Sequence, residues 1–81
     1  MFHNDKICPK EYRYNQYSTV EEAKLKCSRD ETCGYVYDWY CQYSTDSSSS
    51  FELCKKFPAT ELAEATRDCV YEKNSYGKLS V

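Results

Sequence analysis

An α+β fold, a small disulfide-rich domain with one helix packed on a curved antiparallel sheet, is what this sequence predicts. Three observations carry the prediction. The stretch STVEEAKLKC is a capped, amphipathic helix signal, and GYVYDWY and FELCKKF are two strand-forming runs. The third is six cysteines in a chain of 81 residues with few aliphatic side chains: four Val, four Leu, one Ile and one Met. The 41% hydrophobic content rests largely on nine Tyr and those cysteines. So short a chain buries a modest share of its surface and needs cross-links to hold one shape.

The length suits one domain, 1–81, with an ordered core expected over about 7–73. An even count of cysteines in a small chain points to disulfides and an oxidising compartment, hence to secretion or an extracellular surface. Zinc is disfavoured, because no Cys-x2-Cys pair occurs and the single His, His3, sits near one end with no acid beside it in sequence. His3 reads as a solvated terminal residue. No metal and no cofactor is expected. A net charge of −2 argues against a nucleic-acid partner. No apolar run approaches the ~20 residues of a membrane span. No secretory leader is visible, so the chain is expected to be a mature domain or one module of a larger secreted or surface protein.

Taken in order, residues 1–6 look frayed. ICPKEYRY places Tyr12 and Tyr14 two apart, an extended pattern that Pro9 confines to an edge or a strand start. Ser18 and Thr19 can each cap a helix, with Glu21 or Glu22 completing a capping box. Val20, Ala23 and Cys27 form one apolar stripe, while Leu25 lies off it. A helix of about ten residues should end near Arg29. In 34–40, alternation puts Tyr35, Tyr37 and Trp39 on one face and Val36, Asp38 and Tyr40 on the other. The Ser-rich run 44–50 reads as a hairpin loop before a second strand over 51–57, which Pro58 ends. Residues 60–65 have helical composition and suit a single turn or an ordered loop equally. Cys69 to Glu72 reads as a last strand.

Six cysteines allow fifteen pairings. If the aromatic run is extended at ~3.3 Å per residue, Cys33 and Cys41 lie roughly 26 Å apart, too far for a bond. Cys27 can reach Cys33 across the bend after the helix. A hairpin would bring Cys41 to Cys54, which leaves Cys8 with Cys69. The favoured set is therefore Cys8–Cys69, Cys27–Cys33 and Cys41–Cys54. The next alternative pairs Cys27 with Cys54.

The helix with Cys27, the five-residue gap to Cys33, the strand GYVYDW and the later FELCKK together resemble the PAN/apple domain family over about residues 18–57. Cys8 and Cys69 fit the outer bridge of apple members. One position departs from the pattern. The family carries a further helix cysteine one turn before the one matching Cys27, bonded to the strand cysteine matching Cys54, and here Ala23 stands there. The resemblance is thus to a divergent member, with Cys41 as the surplus thiol available to Cys54. It implies one helix on a curved antiparallel sheet, no catalysis, and recognition of an extracellular protein or glycan.

The aromatic cluster admits two readings. Exposed Tyr and Trp offer rigid contact area to a partner or ring faces to a sugar. The same rings can fill a core that lacks aliphatics, the expected role of Tyr35, Tyr37 and Trp39 taken together. Tyr40 and Tyr43, nearer the Ser-rich run, are the better exposed, and Tyr12, Tyr14 and Tyr17 can extend such a face. Asp38, inside an aromatic run, can accept hydrogen bonds from Tyr hydroxyls or from a ligand. The candidate binding set is Tyr37, Asp38, Trp39, Tyr40 and Tyr43. No catalytic set is expected, since a Cys nucleophile needs a free thiolate and a base. The expected function is a non-catalytic extracellular recognition or adhesion module. The alternative is a free-standing secreted effector such as a toxin, inhibitor or diffusible signal.

Overall fold

The computed structural model describes residues 2–39 and 50–73. They form an α+β arrangement of five strands, β1 (Phe2–Ile7), β2 (Arg13–Tyr17), β3 (Cys33–Asp38), β4 (Phe51–Lys55) and β5 (Ala63–Glu72), with one helix, α1 (Val20–Arg29). The strands make one antiparallel sheet in the order β1-β5-β3-β4-β2. Short 3₁₀ turns at Lys10–Tyr12 and Ala59–Glu61 complete the chain path.

α1 starts where the capping signal places it. The Thr19 hydroxyl accepts the Glu22 N–H at 3.2 Å, satisfying one orphan donor of the first turn. Glu21 and Glu22 face the positive end of the helix, and Lys26 and Arg29 the negative end. Val20, Ala23 and Cys27 are buried and Leu25 is exposed, as the stripe requires.

β3 is the central strand and is buried on both faces. On one side, Val36 joins Leu53, Phe51 and Tyr71 beneath the α1 stripe. On the other, Tyr35 and Tyr37 pack with Cys8, Cys54, Leu62 and Val70. Two thin cores therefore sandwich the sheet. The second is roofed by the segments around the two 3₁₀ turns.

Several expectations are corrected. Phe2–Ile7 is a paired strand: Phe2 lies opposite Tyr71 and Asn4 opposite Cys69. His3 is half-buried, its Nε2 2.7 Å from Glu72 Oε1, and is not a solvated terminal residue. The extended pattern of 7–14 is broken by the Lys10–Tyr12 turn. Of the two readings of 60–65, the single turn forms in part, as the 3₁₀ turn Ala59–Glu61, but β5 already begins at Ala63, because Ile7 pairs with Ala63 and Lys6 with Glu64.

The disulfides are corrected as well. Cys27–Cys33 is bonded, with Cα atoms 5.2 Å apart. Cys8 is bonded to Cys54 at a Cα separation of 6.6 Å. That bond excludes Cys8–Cys69, Cys41–Cys54 and the alternative Cys27–Cys54. The physical reason is β1 and the turn after it: they carry Cys8 across the sheet face opposite α1, onto β4. Cys69 is itself disulfide-bonded, and no described cysteine is free. Cys41 lies outside the described residues.

Both edge strands are bulged. Asp5 has φ 56° and sits where four residues of β5 loop out opposite it; its carboxylate accepts the Arg67 N–H at 3.2 Å. Asn15, with φ 37°, interrupts β2 between Tyr14 and Gln16. Bulges of this kind deny an edge to a second sheet.

Candidate recognition site

The site is built on the sheet face opposite α1. The two-residue period of β3 sets Tyr35 and Tyr37 on that face, and Trp39 follows in line. Tyr37 lies between Glu52 of β4 and Val70 of β5. Its ring meets Trp39 at 5.2 Å between centroids. Arg13, on edge strand β2, lays its guanidinium carbon 5.2 Å from the Tyr37 centroid and 5.6 Å from that of Trp39. A cation over a ring face is attracted by its quadrupole. Arg13 Nε is 3.8 Å from Glu52 Oε2, so the cation is locally balanced. The Tyr37 hydroxyl donates to Asp68 at 3.1 Å. Burial, and then the negative charge of Asp68, push the Tyr37 phenol well above its ordinary pKa.

A second aromatic series adjoins the first. Phe57 packs against Tyr35 at 4.5 Å, tilted by 39°, and against Tyr12 at 4.5 Å, nearly parallel at 9°. The Tyr35 hydroxyl donates to the Phe57 carbonyl at 2.5 Å, which locks that pair. The Tyr12 hydroxyl donates to Glu61 at 3.2 Å, and that bond together with the carboxylate charge raises the Tyr12 pKa. Tyr12, Phe57 and Trp39 are all half-buried, so each keeps some ring surface open. An open cleft of about 240 Å³ lies at the β2 bulge, lined by Arg13, Tyr14, Asn15, Gln16 and Glu52.

Of the five residues chosen from sequence, the three described ones, Tyr37, Asp38 and Trp39, do not gather into one site. Tyr37 and Trp39 share the face opposite α1, but Tyr37 is fully buried and presents nothing to a ligand. Asp38 is fully buried too, on the helix side of the sheet, where the Tyr71 hydroxyl donates to it at 3.4 Å. Of the two roles open to each, the structural one is found, core filling for Tyr37 and acceptance from a Tyr hydroxyl for Asp38, and the binding role is set aside for both. Trp39 stays half-buried and accessible. Tyr40 and Tyr43 lie outside the described residues. Sequence reading did not single out Arg13 or Phe57. Arg13 was legible only as a polar residue between Tyr12 and Tyr14, because its ring partners lie more than twenty residues further along the chain.

Among the described residues, no group of three or more His, Cys, Asp or Glu side chains could hold a metal ion, and no helix is long and apolar enough to cross a membrane. Compared with known proteins, the chain matches no family model, no curated protein and no solved structure.

Proposed function

We propose that the chain is a non-catalytic extracellular recognition module of PAN/apple type, which binds a protein or glycan through aromatic rings on the sheet face opposite α1. The observation that carries the reading is Trp39. It is half-exposed, yet held against the buried Tyr37 ring and under the Arg13 guanidinium that lies over both rings. A rigid, partly open indole offers contact area with little entropy left to lose on binding. The Tyr12–Phe57 stack extends this surface, and Glu52 and Glu61 supply acceptors at its rim. The disulfides Cys8–Cys54 and Cys27–Cys33 are compatible with an oxidising, extracellular setting.

The test is a binding screen of the oxidised protein against a glycan array and a panel of purified extracellular proteins. Trp39→Ala and Tyr12→Ala serve as site variants and Leu25→Ala, on the exposed side of α1, as control. A hot-spot loss of about 2 kcal/mol should weaken binding roughly thirtyfold in a site variant and leave the control unchanged. Binding that survives both site variants, or no binding to any glycan or protein, would overturn the reading.

A further inference from the structure

The corner between α1 and β3 turns through Asp30 and Thr32 and is closed by Cys27–Cys33. A helix end leaves its last carbonyls short of donors and concentrates negative partial charge there. Here three carbonyls converge on one group. Lys73 Nζ donates to the oxygens of Cys27 at 2.8 Å, Asp30 at 3.0 Å and Cys33 at 3.3 Å. An ammonium has three N–H donors, and each of these has an acceptor. The backbone N–H of Lys73 donates to the Gly34 carbonyl at 2.9 Å. The neighbouring Asp30 carboxylate accepts from the Tyr14 hydroxyl at 2.7 Å and the Thr32 N–H at 2.9 Å, and so stays ionised beside the cation. The corner has the donor set of a small cation site, filled by a side chain that arrives from the far end of β5.

We propose that Lys73 is a charge-dependent latch: its ammonium fastens the end of β5 to the α1–β3 corner, and loss of that charge releases the corner while the rest of the sheet stays formed. The latch is independent of what the aromatic face binds. Without the cation, the Cys27 and Asp30 carbonyls each keep one backbone donor, the Asp30 and Cys33 N–H, but three carbonyl dipoles converge on one half-buried space that holds no positive charge, an arrangement that favours opening of the turn.

Amide hydrogen exchange on the intact oxidised chain tests this. Lys73→Met keeps an unbranched side chain one atom shorter and removes the charge; Lys73→Arg keeps the charge. In the Met variant, exchange over residues 27–34 should quicken about tenfold or more, as expected when hydrogen bonds from a charged donor are lost. Exchange in β1 should be unchanged, and the Arg variant should stay close to the parent. A Lys73→Ala variant should regain protection at the corner when n-butylammonium is added, but not with tetramethylammonium, which has no N–H to donate. Parent-like exchange in the Met variant, or loss spread evenly over the sheet, would overturn the latch. If the Met variant does not fold, the Ala variant decides: a chain that n-butylammonium restores no better than tetramethylammonium would also overturn it.

Discussion

Cys8 and Cys54 are joined across the sheet face opposite α1, 46 residues apart in the chain, with Tyr35 and Tyr37 packed in the same cluster. Cys27 and Cys33 close a loop of separation six on the helix side. The two bonds constrain very different amounts of unfolded chain.

Chain-entropy arguments then rank them. Replacing Cys8 and Cys54 by Ala should cost about 4 kcal/mol of stability, and replacing Cys27 and Cys33 about 2 kcal/mol. Denaturant titration of the two double variants checks the order. Equal losses, or a larger loss for the short loop, would show that packing at the corner outweighs loop closure.

Alkaline pH should unfold the protein through its buried phenols. Burial, then the Asp30 bond and charge, push the Tyr14 phenol up; burial and Asp68 do the same for Tyr37. A group with a raised pKa binds its proton more tightly folded than unfolded. Stability should therefore be complete below the ordinary tyrosine value of about 10 and fall as pH rises above it. Tyr14→Phe and Tyr37→Phe should each make that fall shallower, read from denaturation midpoints across an alkaline series. The Tyr14 bond also holds the Asp30 carboxyl below its usual range, with the Thr32 N–H adding to the effect. Asp30 thus stabilises above the ordinary aspartate pKa, and its contribution should fade as pH drops below about 4.

Gly34 is needed for closeness. A Cβ built there would lie 2.9 Å from the Lys56 Cα, a backbone atom that cannot swing away. Gly34→Ala should force β3 and the end of β4 apart and cost about 1–3 kcal/mol. Thermal or chemical denaturation checks it; a neutral result would mean that the β3–β4 bulge at this position gives way freely.

α1 provides the contrast. Thr19→Ala should cost about 1 kcal/mol, since it removes the acceptor for the Glu22 N–H and nothing else. A fall in the denaturation midpoint of that size, with the sheet contacts intact, is the expected result.

That contrast shows what was legible beforehand. The cap at Thr19, the Val20, Ala23 and Cys27 stripe, the exposure of Leu25 and the two-faced alternation of Tyr35, Val36 and Tyr37 are patterns of neighbours three, four or two residues apart. Helix and strand periods write them directly into the order of residues. The Cys27–Cys33 bond belongs with them, since it spans one bend.

What the order of residues could not decide depends on partners far along the chain. Nothing local marks 2–7 as a strand until it meets β5. Composition at 60–65 suits a single turn or a loop, and only pairing with Ile7 and Lys6 makes Ala63 and Glu64 a strand after the short turn. Asp38 became a buried acceptor because the sheet placed the Tyr71 hydroxyl over it, and Cys8 found Cys54 because the turn after β1 crosses the aromatic face. Lys73 reads as one more surface lysine until folding sets three carbonyls around it. Local periodicity chose the elements; the closure of long loops chose their neighbours, because contact energies between distant residues exist only once the sheet has formed.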